Sequence, residues 1–213
     1  MTAADPPGSA ERTRLAQILV SRGEARELSG SLTGALSDFQ KALIAFQRRA
    51  RENAGNPHAQ MEAARCHLSV ARLSARVGLP DQAAANFEKA LGIDENHLEE
   101  RQERPQAQQV AAEAYAGLGN IANARGSNLA LPPAERMDGF QAARSYYRKS
   151  LDLRQSVNKS APPSGGVAES DAKRLTARIA ECDRQLARLK GGGTSQGRRR
   201  QTPQPRVNRR LKS

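Results

Sequence analysis

Residues 30–43, GSLTGALSDFQKAL, and residues 78–91, GLPDQAAANFEKAL, are one pattern written twice, 48 residues apart. Each opens on a glycine, suited to the positive φ that ends one helix before the next begins. Ala35, Phe39, Ala42 and Leu43 then recur as Ala83, Phe87, Ala90 and Leu91, spaced to line one face of a helix. Working outward, Gly23, Ala71 and Gly119 keep the same 48-residue interval, as do Gly30, Gly78 and Gly126, and Pro57 with Pro105. A third copy, Ala143, Tyr147, Ser150 and Leu151, stands 60 residues beyond the second, so 12 residues are inserted between Gly126 and Ala143. The stretch SNLALPPAERMD, Ser127 to Asp138, has two prolines and reads as that inserted loop. The cycle is helix, glycine turn, helix, proline break.

Composition agrees. Aromatics are only 3% of the 213 residues and there is no Trp, so Ala and Leu must supply the core, which suits closely packed helices. A fixed period in an all-helical chain predicts a solenoid, since one helix pair cannot bury its apolar faces alone.

Within each unit, a small residue, Gly seven further on, and then Ala-x-x-x-(Phe/Tyr)-x-x-Ala-Leu resemble a tetratricopeptide repeat. Tyr115, Leu118 and Gly119 match the aromatic, Leu and Gly of that family's first helix; Leu19 and His67 stand where Tyr115 does in the other copies. The resemblance spans about residues 12–157, and its period of 48 exceeds the family's 34 by an extended second helix and joint, Ile44–Asn56 and Gly92–Arg104. It implies a short right-handed all-α solenoid of three helix pairs (about 11–56, 57–104 and 105–157) after a disordered residues 1–10. Long copies of this type are similar to arrays appended to bacterial serine/threonine kinases and other signalling proteins. That implies a non-catalytic scaffold that binds a protein or peptide.

Leu175, Ile179, Cys182, Leu186 and Leu189 form one apolar stripe, so residues 170–190 are expected to cap the third unit, after a linker at 158–169. Three heptads are short for an independent coiled coil. Residues 191–213 are expected to be a disordered tail. This tail holds seven of the chain's bases (Arg198, Arg199, Arg200, Arg206, Arg209, Arg210 and Lys212) and no acid, leaving about +5 of the total +12 for the rest. Such a tail would attract nucleic acid or another anionic surface through salt-sensitive contacts. It has no aromatic residue to stack on bases, and a solvated, dispensable tail is the plainer reading.

No catalytic, metal or cofactor site is expected. His58, His67 and His97 share no metal-ligand spacing, and Cys66 and Cys182 read as buried reduced thiols. Gly117-Leu-Gly-Asn-Ile-Ala122 has the outline of a dinucleotide fingerprint but follows helix-patterned residues where that fingerprint needs a strand. No signal peptide or spanning segment is found, and a cytoplasmic location follows by default.

By the family resemblance the first helices line a concave groove, which would carry Arg65, Leu68, Arg72, Arg76, Asn120 and Asn123. Arg65, Arg72 and Arg76 recur by seven and four on one helix side, and opposite Asn120 and Asn123 they would grip a carboxylate. The plainer alternative is that these arginines pair with Glu24, Glu27 or Glu113 and only solvate the surface. Val20 and Glu24 stand where the family's chaperone-tail clamp needs Lys and Asn, which disfavours that partner.

Overall fold

The computed structural model describes residues 8–52, 57–94, 104–160 and 167–196. Seven helices follow one another: α1 Ser9–Leu28, α2 Leu32–Glu52, α3 Pro57–Arg76, α4 Pro80–Asp94, α5 Arg104–Ser127, α6 Pro133–Ser160 and α7 Val167–Gln196. No strand occurs among the described residues. Helices pack on their chain neighbours, with α3 also reaching α5, so the pairs stack in series. Three core clusters follow the chain: Phe39 and Phe46 with Cys66 and Val70; Phe87 with Leu68 and Leu118; Tyr147 and Phe140 with Leu175 and Cys182. Each joins three consecutive helices, as burial between neighbouring units of a solenoid requires.

The first two turns are built alike. Gly30 has φ +82° and Gly78 φ +83°. Ser31 N donates to Arg26 O at 2.8 Å and Leu79 N to Ser74 O at 2.8 Å, while Gly30 N reaches Glu27 O and Gly78 N reaches Ala75 O. Each is a Schellman turn, in which a left-handed residue satisfies carbonyls left open at a helix end. Pro57, Pro80 and Pro133 each open a helix, where their missing N–H costs nothing.

The third turn departs from the expectation. Gly126 lies inside α5, and of the expected loop at 127–138 only residues 128–132 fall between helices. The insertion lengthens both helices of the pair, and Gly126 supplies flatness in place of a turn. A Cβ on Gly139 would lie 2.6 Å from Gly126 N, and one on Gly126 would lie 2.8 Å from Phe140 Cγ. Asn128 makes the turn, its Oδ1 accepting from Ala130 N at 3.0 Å, and Arg136 Nε donates to Gly126 O at 3.0 Å to close the end of α5. Gly139→Ala is therefore expected to push the α5 and α6 backbones apart and cost about 1–3 kcal/mol in chemical denaturation. An unchanged midpoint would show that the crossing has slack.

The cap runs past the Gly191-Gly-Gly193 run where order was expected to end, because a helix already anchored by Leu186 can extend through glycines at about 1 kcal/mol each. Likewise α6 continues to Ser160, into the expected linker, and Ser9 and Ala10 belong to α1. The seven tail bases, Arg198 to Lys212, lie outside the described residues.

Four polar residues are buried with partners, Ser150 donating to Ala112 O at 2.7 Å and the other three joining side chains. Asp38, 1% exposed, accepts from Arg22 (2.7 and 2.8 Å) and Arg26 (2.7 Å), and the Arg22 hydrogen bonds hold its carboxyl below the usual range. His67 on α3 joins Gln47 of α2 (2.9 Å) to Asn86 of α4 (2.8 Å). Asn86 spends its Nδ2 on Gln82 O, so its Oδ1 must accept from His67 Nδ1, and His67 Nε2 accepts from Gln47. That chain suits neutral imidazole.

Burial accordingly pushes the His67 pKa below 6.5, with Lys89 adding to it and the Asn86 bond opposing. The unfolded chain takes up this proton near pH 6.5 and the folded chain only at lower pH, so stability falls as pH drops from 6.5 towards 5. The slope is at most about 1.4 kcal/mol per pH unit for one group. His67→Gln should flatten it in thermal melts; a slope that survives the substitution would assign the effect elsewhere.

Candidate functional site

Adjoining hollows form a trough along α3, α5 and α7 on one side of the stack. A hollow of about 310 Å³ lies between α3 and α5, lined by Arg65, Leu68, Arg72, Gln109 and Glu113. It opens through Leu68, Arg72 and Glu113 into a second of about 190 Å³, floored by Phe87, Ala116 and Gly117. Ala116, Asn120 and Arg154 lead on to a third of about 190 Å³, bounded by Tyr147 of α6 and by Arg174 and Arg178 of α7.

Small residues dig this trough. Gly117 seats the ring of Phe87, closer still than Gly119 seats that of Tyr147 at 2.5 Å from a notional Cβ. Gly23 does the same for Phe39, at 2.9 Å. A side chain at any of them would displace the ring, and at Gly117 it would also enter the second hollow. The Gly117 to Ala122 stretch thus lies mid-helix in α5, and its glycines admit rings.

Of the residues expected at the groove, Arg65, Leu68, Arg72 and Asn120 line it; Arg76 and Asn123 line none of the three hollows. Arg76 donates to Glu27 at 2.6 Å and Arg72 to the same carboxylate at 2.9 Å, tying α3 to α1. Arg65 pairs with Glu62 at 3.2 Å. Asn123 accepts from the Cys182 thiol at 3.8 Å, beneath the cap. Asn120 Oδ1 accepts from Tyr147 Oη at 2.9 Å and from Arg178. The expected opposition of three arginines to two asparagines is therefore not formed, because Arg178 and Cys182 of α7 engage the two amides. The alternative of ion pairing with Glu27 holds for Arg72 and Arg76.

The fold is that of a helical repeat protein. The crystal structure of BtubC (BKLC) from P. vanneervenii is similar over 100% of this chain and 74% of its own, with 12% identity and a TM-score of 0.50. The de novo designed helical repeat protein DHR64 aligns over 86% of this chain and 96% of its own at 17% identity, with a TM-score of 0.38. No known family profile matches the chain, and no curated protein does.

Sequence reasoning missed Arg154, Arg174 and Arg178. Arg174 and Arg178, four apart beside the stripe of α7, were visible as a charged face, but such a face also describes ordinary solvated surface. Arg154 enters only because α6 is long enough to bring its last turns against Asp171, at 2.8 Å. Both cysteines are buried and free; burial pushes the Cys66 thiol up to about 12 and raises that of Cys182. A thiol so protonated is a poor nucleophile.

Proposed function

We propose that this protein is a non-catalytic interaction module, a long-period tetratricopeptide-like array that holds a protein or peptide segment in the trough along its first helices. One observation carries the reading: three hollows adjoin one another across α3, α5 and α7, each sharing lining residues with the next. A run of chain several residues long fits such a shape better than a compact metabolite does. Among the described residues no helix is long and apolar enough to cross a membrane. A cytoplasmic, bacterial signalling setting is part of this proposal, the signalling origin resting on the sequence resemblance and the location on the sequence's lack of a targeting signal.

The test is a peptide-display selection on the intact chain. Selected peptides should lose at least about tenfold in affinity, roughly 1.4 kcal/mol, against Arg65→Glu/Arg72→Glu with helicity unchanged. Equal affinity for both proteins would remove the trough as the site. The basic segment after Arg198 supports a second reading, attraction of nucleic acid. In that case truncation after Gln196 abolishes a nucleic-acid gel shift and leaves peptide binding intact.

A further inference from the structure

At the cap end of the trough three guanidinium groups, Arg154 from α6 with Arg174 and Arg178 from α7, line one hollow with a single carboxylate, Asp171. Asp171 accepts from Arg154 at 2.8 Å and from Arg174 at 2.5 Å, so its charge is already divided between two partners. Arg178 has no carboxylate partner among the described residues. It donates to Asn120 and to Tyr147 Oη (3.2 Å), both neutral, and lies 5.6 Å from the centre of the Tyr147 ring. Arg154 Nε is buried with no hydrogen-bond partner among the described residues. The hollow thus holds more positive charge than it neutralises, an imbalance that an anion relieves.

Moving along the trough, the floor turns apolar at Leu68, Phe87 and Ala116, and Arg65 and Arg72 wait at the far end. Arginines thus stand at both ends of an apolar floor, unneutralised at the cap end and, at the far end, beside Glu113 and paired with Glu62 and Glu27. We propose that the partner segment carries an acidic side chain on each side of an apolar residue, and that Arg154, Arg174 and Arg178 receive the carboxylate at the cap end. This rests on the groove reading above and extends it by making the capping helix part of the binding surface. A carboxylate is the anion that a partner's own acidic side chains supply, and the guanidinium fork takes its two oxygens as paired acceptors. The chain's own segment from Arg198 to Lys212 has the wrong sign to lie here.

The probe is a fluorescein-labelled nonapeptide, Ser-Glu-Asp-Ser-Leu-Ser-Glu-Asp-Ser, with versions in which Gln-Asn replaces Glu-Asp at one end or both, and one with phosphoserine at one end. The fully acidic peptide should bind the intact chain with a Kd below about 1 mM. Neutralising either end should weaken it about tenfold. Arg174→Gln/Arg178→Gln should bind it about tenfold more weakly and no longer register the loss of one acidic end. Preference for the phosphoserine version would overturn the carboxylate assignment.

Unchanged binding by the Arg174→Gln/Arg178→Gln variant would overturn the inference while leaving the groove reading intact if Arg65→Gln/Arg72→Gln still weakens binding. No binding of the acidic peptide, with display-selected peptides still dependent on Arg65 and Arg72, does the same. Failure of both peptide sets ends both readings. Should the variant loosen the cap, the unaltered protein carries the test: saturating acidic peptide should slow amide exchange in α7, and unchanged exchange refutes the proposal.

Discussion

Phe87→Ala is expected to split the unfolding of the stack into two steps. Its ring, 6% exposed, leaves α4 to close on Gly117 of α5, so it belongs to the second unit and fills a seat in the third. In a linear array, stability is a sum of unit terms and nearest-neighbour interfaces, and this side chain spans the central interface. Truncation leaves a cavity that two helices must collapse to fill, at about 3–5 kcal/mol. For a chain of this length that corresponds to a fall of roughly 6–20 °C in the first melting step. Calorimetry should resolve a second transition that the unaltered chain does not show. One transition at the original temperature would mean that the interface is carried elsewhere.

The legibility of that interface in the sequence was uneven. Phe39, Phe87 and Tyr147 were found from spacing alone, and all three are buried against α1 or α5. Gly30 and Gly78 were found for the right reason, since only a residue free to take positive φ closes those turns cheaply. Gly126 had the same phase and a different cause. Residue identity reports that a side chain is absent, and the fold decides whether the vacated space serves a turn or a neighbouring backbone, here that of Gly139.

Tyr147→Ala is expected to undock the cap and leave the rest of the stack folded. The ring is 1% exposed, seated on Gly119, with Arg178 of α7 against it and its hydroxyl donating to Asn120 at 2.9 Å. Losing the ring should cost about 3–5 kcal/mol, whereas Tyr147→Phe removes only the hydroxyl's two hydrogen bonds, to Asn120 and from Arg178, about 1–2 kcal/mol. Amide exchange mapped along the chain separates the outcomes. In Tyr147→Ala the amides of α7 should exchange much faster, while those of α1–α4 keep their protection. Uniform acceleration over all seven helices would show one indivisible folding unit.

The candidate site was half legible for a related reason. Arg65, Leu68, Arg72 and Asn120 follow from the phase of the repeat, which places first-helix residues on one side. Arg154, Arg174 and Arg178 depend on how the last pair and the cap lean together, which no period encodes. Asn123 was misplaced for the same reason: its position faces outward in an endless array, but α7 sits over it with Cys182 at 3.8 Å.

The trough crosses three successive tiers, touching α3, α5 and α7 in turn. Anything bound along its length acts as a splint, because it can stay fully engaged only while those tiers keep their spacing. Grip and rigidity are then one quantity: an occupant at a hundred times its Kd adds about 2.7 kcal/mol to the stack it lies in. Candidate partners can therefore be ranked by how far each raises the melting point, without a label on either molecule.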